Sequence, residues 1–567
     1  MSLNQLNKST KPDRLFWALF AGMTALSLVP IWAFTYFPSQ DGPAHLNSVA
    51  VLMALGDGPA GVLEVFYTAQ WQVSTNQLGF LLLRGLGAFL PLLVAEKVLL
   101  SLYAVGLPLA SLTAVRWARG EPYAALLSFP LIFTLPLYMG FHNFCLSLPL
   151  FVLSIGLYHA YSLRPSWGRG VALSLLLVVL YLTHIVTAAS AVVVIVAATV
   201  VRLLSEKERD ELRPQAAALL TLVPTGLFIA TFLLFFQQYS VRPAAPEMTV
   251  GNQVSRFLGG LVDRVGGVLS PYEKVTYLSD GFSSLDRLYT LPYFGLLFVL
   301  GVLALVRLAR LGEVRRYLPH LVAALLFVLL LAVLPERYGS LGWLPGRFLP
   351  VTCLVLLVGL SVALPRTVWR YAAVVTLVVV CISTAYRLPV HRQLNATIGN
   401  YVSGMASVEP GSVVLPVQLA SRYQHEGLKP ALRSAKFDAL AHAAGYATLD
   451  APFVNLRNFE PARPYFPLQY TSFKDPRLYL SPDEQVSRYG QPPFHLDLSA
   501  YAEHAGQPID YVLVWGKPEL VSDDPTVMNL YAQLAADYDA LSPSSLMHVY
   551  KRKPTPTSQT PEGTPYD

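Results

Sequence analysis

Four short stretches put ionisable or amide side chains at the edges of long apolar runs. In FPSQDGPAHL (37–46), Asp41 and His45 stand four residues apart. On a helix that spacing places both on one face, where they can share a ligand, an ion or a proton. Asp-Gly-Pro is also a good helix start, so an N-cap is the structural alternative for Asp41. YMGFHNFCLSLP (138–149) offers His142 and Asn143, with capping of a turn as the alternative. YLTHIVT (181–187) puts His184 at a tip between two short apolar runs, and ERYGSLGWLPGRFLP (336–350) carries Arg337 and Arg347. A guanidinium there either snorkels to the interface or grips a phosphate bidentately. Polar groups at membrane depth are costly unless they line a cavity. We therefore expect Asp41, His45, His142, Asn143, His184 and Arg347 to converge on one outward-facing cavity.

The elements that would position them are mostly membrane helices. The 567 residues are 54% hydrophobic and only 13% charged, with mean hydropathy +0.46. Soluble chains usually carry about 25% charged residues, so an ordinary soluble protein is excluded. The three cysteines, Cys145, Cys353 and Cys381, all lie within apolar runs, which argues against a disulfide framework or a cysteine metal site. The net charge of +6 is explained by arginines at helix ends and calls for no nucleic acid. No P-loop, GxGxxG or HExxH pattern and no internal repeat is present.

Apolar periodicity predicts eleven membrane helices, at about 15–36, 94–116, 121–138, 141–162, 169–183, 185–204, 213–237, 289–311, 316–334, 346–364 and 367–386. The turns near 116–122, 164–169, 202–213, 307–316 and 365–370 are basic, whereas 37–75 contains no Lys or Arg. The positive-inside rule then sets residues 1–14 in the cytoplasm as an uncleaved anchor flank. The short stretch 76–91 contains Arg84, and counting it as a span would invert every later loop against the charge pattern. It is read as an interfacial helix. The membrane domain thus covers 15–390, with long outer loops at 37–93 and 238–288.

From about residue 391 the composition shifts. GSVVLPV (411–417), DYVLVWG (510–516) and LMHVYKR (546–552) read as strands, and 436–449 and 527–541 as helices. The fold expected is an all-α polytopic membrane domain followed by a small extracytoplasmic α/β domain, 391–552, which would roof the cavity. The tail 553–567 is too polar and Pro-rich to fold.

With Asp41 of SQDGPAHL in the loop just past the first helix, the chain resembles the GT-C-type glycosyltransferases. These are polytopic, lipid-phosphate-sugar-dependent enzymes that include protein mannosyltransferases and the lipid A aminoarabinose transferase. The family's mark is an acidic residue at that position. A second family acid usually occupies the outer turn two helices on, which here is GFHNFCLS, with Asn143 where an Asp would be expected. The resemblance implies a bacterial inner-membrane enzyme moving a sugar from a polyprenyl phosphate to a glycan, lipid or protein acceptor. Asp41 would be the base and Arg347 the phosphate clamp. Arg337, His45, His142, Asn143 and His184 would hold substrate. No metal ligand set is named, and a divalent cation stays open as cofactor. Two further classes stand beside this one: a transporter or flippase of a lipid-linked glycan, and a non-catalytic envelope assembly protein. A transporter of that kind would carry repeat symmetry and broken midplane helices, neither of which the sequence displays.

Overall fold

The structure is a computed structural model. It describes residues 11–205, 217–236, 290–312, 314–333, 337–338, 341–342, 344–419, 437–449, 451–471, 474–476, 480, 496–516, 525–541 and 546–554. The expected loop 238–288 and nearly all of the tail fall outside these.

The main helices are α1 (Arg14–Trp32), α2 (Gly42–Ala54), α3 (Leu78–Gly87), α4 (Leu92–Trp117), α5 (His142–Leu163), α6 (Trp167–Thr183) and α7 (Ile185–Ser205). They continue with α8 (Val223–Thr231), α9 (Thr290–Arg310), α10 (Val314–Val333), α11 (Leu344–Ser361), α12 (Arg366–Ser403), α13 (Leu498–Ala505) and α14 (Pro525–Asp537). Among the described residues, α1, α4, α5, α7, α9 and α12 are long and apolar enough to cross a membrane. Shorter apolar helices lie at Leu78–Gly87, Trp167–Thr183, Val223–Leu234, Leu321–Leu330 and Gly346–Ser361. The chain is a polytopic membrane protein by this count, and six of the eleven expected spans are matched by such a helix among the described residues.

One expected helix, 121–138, takes another form. Pro122–Leu131 is a 3₁₀ stretch and Leu135–Tyr138 a single helical turn. Pro130 and Pro136, inside the expected helix, each remove a donor and block an α-helical bond to the preceding turn, so apolarity alone is not enough to make it an α-helix. The segment runs beside α1. Near one end the Tyr123 hydroxyl donates to Asp13 Oδ1 at 2.6 Å, and at the other the Gln40 N–H donates to the Tyr138 carbonyl at 2.9 Å. Irregular backbone at membrane depth is tolerated only inside protein. Every residue from Pro122 to Leu131 is buried. The Tyr103 hydroxyl donates to the Leu131 and Ile132 carbonyls, and Tyr293 to that of Leu127 at 2.8 Å. Asp13 caps α1 through the Phe16 N–H and binds Arg366 and Arg370 of α12, which ties the three elements together at that end.

The last long helix is the second correction. Composition predicts a span over 367–386, but α12 runs 38 residues to Ser403. At 1.5 Å per residue it is about 57 Å long, nearly twice a hydrocarbon core of roughly 30 Å. Beyond 386 the polarity changes while the helical path does not, and Pro389 is accommodated within it.

Nine strands are described: β1 (Tyr67–Ala69), β2 (Arg337–Tyr338), β3 (Leu341–Gly342), β4 (Val413–Gln418), β5 (Val454–Asn455), β6 (Leu468–Tyr470), β7 (Tyr511–Trp515), β8 (Tyr538–Ala540) and β9 (Met547–Arg552). The C-terminal unit is built on a mixed sheet of order β5-β4-β7-β9-β8, with β4 parallel to β5 and β7, and β9 antiparallel to β7 and β8. Central strands β4 and β7 are buried along their whole length, as their near-continuous apolar sequences require. The helix expected over 436–449 is mostly turns, with one helical turn at Ala444–Ala447. The helix at 525–537 stops short of 541 because Tyr538–Ala540 pairs with β9.

Two features seat this unit on the helical part. β1 pairs antiparallel with β6, Tyr67 opposite Tyr470. Helix α2 is buried from Gly42 to Leu52, apolar residues on most sides and Asn47 and Ser48 on one. Asn47 donates to Thr448 and accepts from Asn458, and Ser48 donates to Glu460 at 2.5 Å. A helix covered all round in this way is fixed by its neighbours rather than by solvent.

Candidate functional site

Asp41 ends the loop between α1 and α2. The Gln40 and Asp41 N–H groups donate to the Tyr138 and Met139 carbonyls, which zips this loop to the turn before α5. Gly140 makes that approach feasible. Its φ is +78°, and a Cβ there would meet the Asp41 and Gly42 backbone nitrogens at 2.7 and 2.5 Å.

The capping alternative for Asp41 does not hold. Helix α2 starts after Asp41 with Pro43 in its first turn, but the Asp41 carboxylate makes no cap hydrogen bond. Its Oδ1 accepts instead from the Gln40 side-chain amide at 3.1 Å and lies 3.8 Å from His442 Nε2. The residue is only 8% exposed. Burial lifts its pKa to about 7, against opposing pulls from His45, the Gln40 amide and Arg347, while Glu460 adds to the rise.

His45, one turn on, donates Nε2–H to the Gly140 carbonyl at 2.9 Å and turns Nδ1 to the Glu460 carboxylate. Burial alone would lower its pKa, but Glu460 outweighs it and raises the value to about 9. His442, in the C-terminal unit, is pushed down to about 3 by burial, with Arg457 and His45 acting the same way. Asp41 therefore sits between a cationic and a neutral imidazole.

The His142 ring packs 5.3 Å from that of His45, and its Nε2 is 3.9 Å from Glu96 Oε1. Both are fully buried, and among the described residues neither His142 ring nitrogen has a hydrogen-bond partner. Asn143 has its amide committed elsewhere: Oδ1 accepts from the Gly79 N–H at 2.7 Å and Nδ2 donates to the Asn76 carbonyl at 3.2 Å. It anchors the start of α3. Arg347 lies with Nη1 3.4 Å from His184 Nε2 and its guanidinium 4.4 Å over the Phe141 ring, next to His142. Its Nε has no hydrogen-bond partner among the described residues. Arg337 falls on β2, and its side chain is not among those described.

Asp41, His45, His142, His184 and Arg347 thus lie in one buried cluster. Sequence reasoning missed Glu96, His442 and Glu460. Glu96 was legible, because an acid inside the apolar run VAEKVLL is a functional candidate by default. Glu460 and His442 carried no local signal. Among the described residues, no group of three or more His, Cys, Asp or Glu is arranged to hold a metal ion. A cavity of about 320 Å³ lined by Leu92, Met405, Val408 and Phe453 lies nearby, reaching the cluster's loop through Tyr36 and Tyr446.

Fold and cluster together define a polytopic membrane protein with a C-terminal α/β unit packed over a buried acid–imidazole–guanidinium site. No family model and no curated protein matches the chain. Among solved structures it is similar to ArnT from Cupriavidus metallidurans bound to undecaprenyl phosphate, at 12% identity and a TM-score of 0.46, over 95% of this chain and 98% of that one.

Proposed function

We propose that this protein is a membrane glycosyltransferase that moves a sugar from a polyprenyl-phosphate carrier to an acceptor hydroxyl on the extracytoplasmic side, with Asp41 as general base. The observation that carries the reading is Asp41 itself: buried, released from capping, and poised near pH 7. A general base works best when its pKa lies near the operating pH. The acceptor proton passes to the Asp41 carboxylate as the acceptor oxygen attacks the anomeric carbon. The bond from that carbon to the phosphate oxygen breaks, and the polyprenyl phosphate departs. One displacement inverts the anomeric centre.

The leaving phosphate needs a cation rather than an acid, and Arg347 has the fork geometry for it. Phe141 beneath and His184 beside its guanidinium hold it in place without neutralising it. His142 is the candidate for a sugar or acceptor hydroxyl, since both its ring nitrogens are unpaired. The acceptor class is a glycan, lipid or protein. The test is to incubate purified protein with polyprenyl-phosphate sugars and candidate acceptors and follow release of polyprenyl phosphate. Binding of the lipid without release would reject the transferase.

A further inference from the structure

The His45 ring faces two acceptors. Nε2 is 2.9 Å from a backbone carbonyl, and Nδ1 contacts the Glu460 carboxylate. A carbonyl oxygen cannot donate, so Nε2 carries a proton, and the ion pair of Nδ1 with the Glu460 carboxylate makes the ring an imidazolium. Glu460 is fully buried and its other oxygen accepts from Ser48. This acid comes from the C-terminal unit, far along the chain from the helix it grips.

We infer that Glu460 is a positioning residue that acts on Asp41 through His45: it keeps the imidazole cationic one turn from Asp41, so that seating of the C-terminal unit makes Asp41 available as a base. This rests on the reading of Asp41 as the base. The physical logic is electrostatic. A buried carboxylate surrounded by little water stays protonated unless a positive charge stands close by. Around Asp41 these groups are Gln40 and His45 from its own stretch, His442 and Glu460 from the C-terminal unit, and Arg347 from α11. Around His45 they are Glu460 and His442, Glu96 from α4, His142 from α5 and Asp41. Of the charges acting on Asp41, His45 gives the largest lowering and Arg347 a smaller one. Removing the charge of Glu460 takes away the strongest support for the second proton on the buried ring, leaving the weaker pull of Asp41. Asp41 then loses its main counter-charge, a loss larger than the relief from Glu460's own repulsion, and holds its own proton to higher pH.

Glu460→Gln is close to isosteric. Its amide oxygen can still accept from Ser48, and its NH₂ can donate to the Nδ1 of a neutral ring whose Nε2 still serves Gly140. The experiment uses full-length protein in nanodiscs, with ¹⁵N-histidine NMR for the His45 ring and difference infrared spectroscopy for the Asp41 carboxyl. His45→Gln and Asp41→Asn assign the signals. In the wild type the His45 ring is expected to stay doubly protonated at pH 8. In Glu460→Gln it is expected to be neutral there, with the Asp41 midpoint higher by about one pH unit or more, so that transfer falls about tenfold further at pH 6 than at pH 9. His45→Gln is expected to raise the Asp41 midpoint in the same way, and Glu460→Asp to leave it near the wild-type value. An unchanged Asp41 midpoint in both Glu460→Gln and His45→Gln, or an equal loss of transfer at every pH, overturns the inference. The spectroscopic shifts need no turnover. Shifts as expected in a protein that never transfers sugar would sink the transferase reading and leave the coupling standing.

Discussion

Asp41 Oδ1 lies 3.8 Å from His442 Nε2, so the loop after the first membrane helix and the C-terminal unit meet at a carboxyl poised near pH 7. Burial holds the His442 pKa near 3, so the ring is neutral throughout the working range. His442→Asn is therefore expected to weaken transfer without moving the acid limb of the pH–rate profile. Measuring that profile from pH 5 to 9 decides it, and a displaced limb would mean that His442 itself titrates with Asp41.

The His45–Glu460 pair predicts a stability profile with a definite sign. The folded pKa of His45, about 9, lies above its ordinary value of 6.5. Its contribution is fully present below about pH 6.5 and is lost as pH rises through 9. Asp41, raised from 3.8 to about 7, acts in the same direction over a lower window: its contribution fades as pH climbs through 7. Melting temperature in detergent is expected to fall from pH 6.5 to 9, and to fall less steeply in His45→Asn. Equal slopes in the two proteins would contradict the ion pair.

Arg347 stacks on Phe141 and touches His184, and its Nε is unpaired. Arg347→Ala is expected to weaken binding of polyprenyl phosphate by at least about tenfold. Arg347→Lys is expected to restore only part, because an ammonium keeps the charge and loses the fork. Unchanged lipid-phosphate affinity in Arg347→Ala would make the residue a structural cation over Phe141.

How much of this the sequence carried depended on distance along the chain. Asp41 with His45, and Arg347 among apolar neighbours, were legible because the anomaly is local: polar groups where apolar ones are expected. Glu460 sits in NFEPARPYF and looks like any turn acid. What makes it a partner of His45 is the docking of two units, through β1 on β6 and Asn47 on Asn458, and neither has a local pattern. Asn143 was legible as a polar group but not as an anchor, since its partners Asn76 and Gly79 lie far along the chain, just before and within the start of α3. Helix ends failed for a related reason. Proline count, not hydropathy, decides 122–138, and the backbone of α12 ignores the polarity change at 386.

Orientation is open to a direct check. On the positive-inside rule, the basic turns at 307–316 and 365–370 predict that α12 runs outward. A phosphatase reporter fused after Gly404 is expected to be active only outside the cytoplasm. Cytoplasmic activity would put the Asp41 cluster on the wrong face for an extracytoplasmic acceptor.

The central claim, that Asp41 is a base, is tested most directly by Asp41→Asn. The carboxylate caps nothing and its charge is costly to bury, so the amide is expected to leave α2 folded and not to lower the melting temperature. Positioned general-base catalysis is worth about 10²–10⁴-fold, roughly 3–5 kcal/mol of barrier. Asp41→Asn is therefore expected to fold as the wild type, bind the lipid-linked donor, and lose at least about a hundredfold in transfer rate. Wild-type transfer by Asp41→Asn would contradict the account.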